Sequence, residues 1–190
     1  MHLTFDPGCH AYLLNGQSVP SVTQILKDVG IIDTTWFPAG SADFGTQVHR
    51  ALELYDRGTL DEAGLDPAFC PYLLAWKNFR IETGFIPELI EHPVASETFR
   101  YAGTLDRFGR MSENRPALVD IKSGAVPDWT GLQLAGYEEA LPGGARPLRM
   151  AVQVTAEGKY KIHQFNSRSD RGTFLAAATA YHWKHRKGNE

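Results

Sequence analysis

The sequence has few cysteines: Cys9 and Cys70 are the two found among its 190 residues. They lie far apart in the chain and lack CxxC spacing, so thiolates alone cannot form a structural zinc site or an iron–sulfur cluster. The chain also lacks an apolar run approaching the roughly 20 residues of a membrane span, and residues 1–6 lack the features of a signal peptide. We therefore expect a soluble, cytoplasmic protein with reduced thiols and no membrane partner.

The sequence also lacks a large excess of either charge. It has 19 lysines and arginines and 22 acidic residues, which gives a formal net charge of −3. This balance excludes a globally basic, histone-like nucleic-acid binder, so any DNA contact must come from a local patch. The basic candidates are Arg50, Arg107, Lys159, Lys161 and residues 184–187, and Trp36 and Trp129 could stack on bases. Each basic residue fits an ordinary solvated surface at least as well as a DNA contact. The two tryptophans fit partly buried packing residues better than base-stacking residues.

Hydrophobic periodicity and turn residues predict a layered α/β chain of the α+β type, with a central mixed sheet flanked by helices. Asn15-Gly16 predicts an N-terminal hairpin, and the capping box from Ser21 to Gln24 predicts a short helix that ends at Gly30. The hairpin strands are expected over 10–14 and 17–19, further helices from 43, over 69–84, over 128–141 and around 174–181, and further strands over 87–97, 101–107, 116–122, 148–154 and 159–165. The length fits a single domain over 1–190.

Two of these predicted strands carry carboxylates that pairing would bring close together. If the strands pair through the turn residues 112–115, Asp106 approaches Asp120. Because side chains alternate along a strand, Asp120 and Lys122 share a face while Ile121 points to the opposite layer. Carboxylates this close are unfavourable unless a cation lies between them, and hard oxygen ligands suit Mg²⁺ or Mn²⁺. The two strands therefore predict a divalent-metal site.

Each motif taken alone has an ordinary structural explanation. Asp-x-Lys at 120–122 is a common surface ion pair, and His49 alone is more often a helix-flank or core histidine than a ligand. Gln133 and Tyr137, at i and i+4, equally describe an ordinary helix face. The case for a functional site therefore depends on how the motifs combine.

Four motifs occur in a fixed order: Gly45-Thr46-Gln47-Val48-His49, Gly103-Thr104-Leu105-Asp106, Asp120-Ile121-Lys122-Ser123-Gly124, and Gln133-Leu134-Ala135-Gly136-Tyr137. In sequence and spacing they resemble the PD-(D/E)XK nuclease superfamily, over roughly residues 10–183. The most similar branch is the RecB-like exonucleases, which includes Cas4-like proteins and many phage exonucleases. The resemblance implies a restriction-endonuclease-like core and a metal-dependent DNA exonuclease of recombination, repair or phage DNA processing, in a bacterial or phage-infected cell.

The resemblance also implies a role for each matching residue. The implied ligands of Mg²⁺ or Mn²⁺ are His49, Asp106, Asp120 and the backbone carbonyl of Ile121. Lys122 resembles the catalytic lysine, and Gln133 and Tyr137 match the motif that borders the active site. Glu91 or Glu97 corresponds to an accessory acid, with Glu91 favoured. The expected substrate contacts are Gly45, Thr46, Ser123 and Arg107.

The sequence departs from this family pattern in two respects. It lacks the four cysteines of the Cas4 iron–sulfur site, so a Cas4 role is not expected. It also lacks a helicase domain, so the chain would act on linear duplex or single-stranded DNA alone, or with a separate recombinase or single-strand-binding protein. A structure-specific DNA endonuclease and a non-catalytic nucleic-acid-binding module remain alternatives, and no sequence feature specifies the polarity of digestion or the oligomeric state.

Overall fold

A computed structural model describes residues 2–6, 8, 11–33, 41–144 and 146–186, with the side chains of Ser41 and Ala42 left out. Within these ranges the secondary structure comprises β1 (Leu3–Asp6), β2 (Ala11–Leu14), β3 (Gln17–Val19), α1 (Val22–Asp28), α2 (Ser41–Asp56), α3 (Cys70–Thr83), β4 (Ile86–Ser96), β5 (Tyr101–Arg110), β6 (Pro116–Lys122), α4 (Thr130–Ala140), β7 (Leu148–Val154), β8 (Tyr160–Gln164) and α5 (Ser169–Arg186). Four residues named in the sequence-based predictions lie outside the described residues: Cys9, His10, Trp36 and Lys187.

The central sheet has five strands in the order β4-β5-β6-β7-β8. Its neighbours pair antiparallel except for β6 and β7, which are parallel and are connected through α4. Helices α2 and α3 pack on one face, where their apolar side chains bury Val119 and Ile121 of β6. Helices α1, α4 and α5 cover the other face, around Leu118. The fold is therefore the mixed, helix-flanked α+β arrangement that the periodicity predicts.

The edges and the N-terminal sheet also agree with the sequence. The prolines of β4 predict an edge position, and β4 is the first strand of the sheet. Asn15 and Gly16 have φ values of 52° and 78°, as the predicted hairpin turn requires, and β2 pairs with β3 across it. Strand β1, which the sequence analysis missed, adds a third strand to this small sheet.

The starts of α2 and α4 differ from the predictions by about one half-turn, and α5 is longer than expected. Helix α2 begins at Ser41, two residues before the expected start, and α4 begins at Thr130, two residues after it. Helix α5 extends to Arg186, so Lys184 and His185 are helical and lie 3.0 and 3.2 Å from the carboxylate of Asp28. The candidate DNA contacts at 184–186 therefore form the last turn of a helix, where Lys184 and His185 are paired with Asp28. Among those residues, no helix combines the length and apolar character needed to cross a bilayer.

Helix α1 confirms the predicted capping box. The Ser21 hydroxyl accepts a hydrogen bond from the Gln24 amide at 3.0 Å, and the Gln24 side chain accepts one from the Ser21 amide at 2.7 Å. These reciprocal bonds satisfy two amides that a helix start otherwise leaves unpaired. Helix α1 lies against β5, and Ser21 forms an isolated parallel bridge with Ala102.

Gly103 of β5 lies directly against the buried ring of Tyr137 in α4. A Cβ atom at position 103 would lie 2.6 Å from Cε1 of Tyr137 and 3.4 Å from Cγ2 of Val22. We expect Gly103→Ala to lower the free energy of unfolding by about 1–3 kcal/mol, since the packed ring must move. Urea denaturation measures this change.

The matched control is Gly172→Ala in α5, where an added Cβ would meet nothing within 4 Å. There the free energy of unfolding is expected to rise by up to about 1 kcal/mol, because alanine loses less backbone entropy on folding than glycine. If Gly103→Ala is as stable as the unaltered protein, the close packing of Gly103 on Tyr137 is contradicted.

Candidate metal centre

Three side chains from three different elements form a compact group, which we call the His–Glu–Asp cluster. His49 of α2, Glu91 of β4 and Asp106 of β5 each offer a ligand atom, and these atoms all lie within 4.8 Å of one another. Nδ1 of His49 is 3.6 Å from Oδ2 of Asp106 and 3.9 Å from Oε1 of Glu91. One imidazole and two carboxylates at this spacing are suited to holding a divalent cation.

The orientation of the His49 ring is fixed by the backbone of β6. Its Nε2 lies 2.9 Å from the carbonyl oxygen of Ile121. A carbonyl oxygen can only accept, so Nε2 carries the hydrogen and Nδ1 faces Asp106 and Glu91. Burial lowers the pKa of His49, but the carboxylates of Asp106, Glu91 and Asp120 outweigh it and raise the pKa to about 9. The raised pKa of His49 therefore reflects the negative charge of the three carboxylates around its ring.

Asp106 lies where β5 and β6 stop pairing as a regular ladder. The last paired residues are Arg107 and Val119, on the side of the turn. Beyond them, Oδ2 of Asp106 accepts a hydrogen bond from the amide of Ile121 at 2.7 Å. The carboxylate thus satisfies a backbone donor of β6, which ties the two predicted strands together at the site.

Asp120 and Lys122 form a buried pair beside the cluster. The Nζ atom of Lys122 lies 2.8 Å from Oδ2 and 3.0 Å from Oδ1 of Asp120, and only the contact to Oδ1 has hydrogen-bond geometry. Burial raises the pKa of Asp120 to about 6, helped by Asp106 and opposed by Lys122 and His49. Burial lowers the pKa of Lys122, but Asp120 and Asp106 outweigh it and raise that pKa, so the ammonium stays charged.

The two faces of β6 are arranged as the sequence predicts. Ile121 is buried among apolar side chains of α2 and α3, while Asp120 and Lys122 lie together on the other face. Asp120 is engaged by Lys122 and is not one of the three members of the His–Glu–Asp cluster, where Glu91 is present instead. The Ile121 carbonyl, expected as a metal ligand, accepts from His49.

Gln133 and Tyr137 link α4 to the strand of Asp106. The Gln133 side-chain amide donates to the Tyr137 hydroxyl at 3.2 Å, and both residues are buried. The Oε1 atom of Gln133 is buried without a hydrogen-bond partner. Burial raises the pKa of the Tyr137 hydroxyl, so it remains neutral. Tyr137 packs against Gly103 of β5, and the carboxylates of Asp106 and Asp120 also contribute to its raised pKa.

The expected substrate contacts divide into two groups. A Cβ on Gly45 would lie 3.5 Å from Oγ of Ser123, so the start of α2 lies beside the end of β6, and Thr46 is exposed there. Arg107, in contrast, has a side chain that is 0% exposed and is bound to Glu91 and Asp56. The expectation that Arg107 contacts substrate does not fit this burial.

The remaining candidate site residues lie outside the His–Glu–Asp cluster. Arg50 is paired with Glu53 at 2.7 Å, while Lys159 and Lys161 are exposed. Trp129 is half-buried, and Nζ of Lys122 lies 5.6 Å from the centre of its ring. Glu97 is exposed and accepts from Asn15 at 3.0 Å, away from the cluster that contains Glu91.

Sequence reasoning missed one residue behind the site, Asp56. Its carboxylate is 0% exposed and lies 2.6 Å from Nε of Arg107. Asp56 follows His49 by seven residues on α2, which is about two helical turns and places both on a similar face. The seven-residue spacing could have indicated that Asp56 lies on the same helix face as His49. However, an acidic residue at a helix end is normally solvated.

Comparisons with known proteins give limited information about this chain. No family model matches it, and no curated protein matches it in sequence. It is similar to the crystal structure of SSO0001, with 12% identity over 83% of this chain and 81% of that one, at a TM-score of 0.37. We draw no conclusion about family or activity from a similarity of this size.

Proposed function

We propose that this chain is a metal-dependent DNA nuclease with a restriction-endonuclease-like core, acting as an exonuclease on linear DNA. The observation that carries the proposal is the His–Glu–Asp cluster, whose ligand atoms all lie within 4.8 Å, beside the buried pair of Asp120 and Lys122. Its expected metal is Mg²⁺ or Mn²⁺, because the donors are mainly carboxylate oxygens. Such a cation supplies Lewis-acid activation of water and charge neutralisation at a phosphate.

The electrostatics of the site support a cation among its own residues. The pKa of His49 is raised to about 9, and that of Asp120 to about 6, in both cases with a contribution from neighbouring carboxylates. Oδ2 of Asp120 is buried and makes no hydrogen bond of good geometry, and its charge is opposed by Nζ of Lys122 at 2.8 Å. His49, Glu91 and Asp106 would hold the ion, with Asp120 adjacent, and binding would displace the proton on Nδ1 of His49.

Lys122 has the properties required of the group that faces a phosphodiester. In hydrolysis, water attacks phosphorus, the bond to the leaving oxygen breaks, and negative charge develops on the phosphoryl oxygens. Asp120 and Asp106 keep Lys122 charged despite burial, so its ammonium can stabilise that charge or orient the water. Tyr137, bound by Gln133 within α4, would support the site by packing on Gly103 of β5.

The activity is tested by digesting end-labelled linear single- and double-stranded DNA and covalently closed circular DNA with Mg²⁺ or Mn²⁺. We expect the linear molecules to shorten from their ends, the circular molecule to survive, and EDTA to stop the reaction. Cleavage of closed circles would instead favour a structure-specific endonuclease. DNA binding without cleavage of any substrate would contradict the nuclease and favour the non-catalytic binding module.

A further inference from the structure

A buried arginine lies directly behind the His–Glu–Asp cluster. The guanidinium of Arg107 donates from Nη1 to Oε1 of Glu91 at 2.8 Å and to the backbone carbonyl of Asp106 at 2.7 Å. Its Nε donates to Oδ2 of Asp56 at 2.6 Å. Arg107 therefore contacts two of the three cluster residues while being shielded from solvent itself.

Asp56 anchors this arginine to the core between α2 and α3. Its carboxylate accepts from Nε1 of Trp76 at 3.0 and 3.1 Å and from Nη1 of Arg80 at 2.7 Å, besides Arg107. The Arg107 guanidinium also lies 5.8 Å from the centre of the Trp76 ring, which is fully buried. The position of Arg107 is thus fixed by buried, hydrogen-bonded groups rather than by a mobile surface side chain.

Glu91 is the cluster member that most needs such support. It has a φ of 45°, in the left-handed region that a residue with a side chain rarely adopts, and the register of β4 shifts between Pro87 and Leu89. A conformation of this kind persists only where the surroundings hold it. The Glu91 side chain is 26% exposed, and its Oε1 is shared between Arg107 and Nδ1 of His49.

We infer that Arg107, anchored by Asp56, is a positioning residue that holds the Glu91 carboxylate in place as a metal ligand. The inference rests on the proposed metal-dependent function. The bond to Glu91 balances the charge of the buried guanidinium, because Asp56 already pairs with both Arg80 and Arg107, and it also fixes the orientation that a metal ligand requires. Groups that orient ligands from behind typically change metal affinity by about 10–100-fold when altered.

Charge and positioning have opposite effects, so the choice of substitution matters. Removing the positive charge at 107 would by itself attract a cation more strongly, because a nearby like charge is lost. Arg107→Lys keeps the charge and removes the fork that contacts Glu91, Asp106 and Asp56 together. Any loss of metal affinity in Arg107→Lys therefore reports the positioning.

The experiment is calorimetric titration of the full chain with Mn²⁺, without DNA. We expect Arg107→Lys to bind Mn²⁺ about 10–100-fold more weakly than the unaltered chain, and Asp56→Glu, which keeps the charge but displaces the anchor, to show a smaller loss in the same direction. Asp56→Glu also keeps the inference testable if Arg107→Lys does not fold. Glu97→Gln, on an exposed acid outside the cluster, and Val19→Ala, a buried substitution that lowers stability in the separate N-terminal sheet, should bind Mn²⁺ like the unaltered chain.

A double-mutant cycle with Glu91→Gln provides the second readout. If Arg107 acts through Glu91, adding Arg107→Lys to Glu91→Gln should weaken Mn²⁺ binding by no more than about twofold further. Unaltered Mn²⁺ affinity in Arg107→Lys, a loss no larger than that of Val19→Ala, or the same loss in the Glu91→Gln background would overturn this inference without contradicting the metal centre. Failure of the unaltered chain to bind Mn²⁺ would overturn the metal centre as well.

Discussion

Lys122→Ala is expected to abolish the Mg²⁺- or Mn²⁺-dependent degradation of linear DNA. The substitution removes the buried ammonium that lies 2.8 Å from Asp120 and is kept charged by the acidic groups around it. Loss of one preorganised group that stabilises developing negative charge typically lowers a rate by roughly 10²–10³-fold. Initial rates of nucleotide release from end-labelled linear DNA measure the loss.

The fold is expected to survive this substitution. Lys122 opposes the burial that raises the pKa of Asp120 to about 6, so its removal raises that pKa further. Asp120 then takes up a proton near neutral pH and is not left as an unpaired buried charge. Circular dichroism and thermal unfolding check this, and Lys27→Ala, on an exposed residue of α1 that is not a candidate DNA contact, is the matched control. Undiminished degradation by Lys122→Ala would contradict the assignment.

Asp106→Asn is expected to cause the largest loss of metal binding. It removes one carboxylate charge from the His–Glu–Asp cluster with almost no change of shape. Altering a residue that only supports a metal ligand typically lowers metal affinity by roughly 10–100-fold. Because Asp106 is itself an expected ligand, the Mn²⁺ affinity should fall by more than this. Calorimetric titration measures the affinity, and Asp43→Asn, on an exposed residue of the same helix as His49, is the control.

Two further measurements separate loss of the ligand from loss of the fold in Asp106→Asn. The amide oxygen can still accept from Ile121, so the free energy of unfolding without metal should change by no more than about 1 kcal/mol. Burial lowers the pKa of His49 and Asp106 is the main group that raises it to about 9, so that pKa should fall, as an NMR titration without metal would show. An unchanged Mn²⁺ affinity would remove Asp106 from the site.

Local signals in the sequence determined most of the secondary structure. Positive φ at Asn15 and Gly16, the capping box at Ser21 and the edge position of β4 each follow from the chemistry of a few adjacent residues. The opposite faces of Asp120 and Ile121 follow from strand alternation alone. Such features need no knowledge of distant contacts, which is why they were predictable.

The approach of His49 to Asp106 was predictable only through the order of the four motifs. Periodicity places each residue on a face of its own element, but it does not state which faces meet. The sequence also left Glu91 and Glu97 as alternatives, although the two are six residues apart on the same segment. The structure places Glu91 in the cluster and Glu97 beside Asn15.

Only the tertiary structure decided the environment of Arg107. As a basic residue it was among the expected substrate contacts, whereas α2 and α3 bury it against Asp56 and Glu91. Burial of a charge depends on partners that are distant in sequence: 51 residues separate Asp56 from Arg107, and 16 separate Glu91 from it. The sequence therefore specified the elements and the chemical groups, while long-range packing determined which carboxylates surround His49 and which arginine holds them.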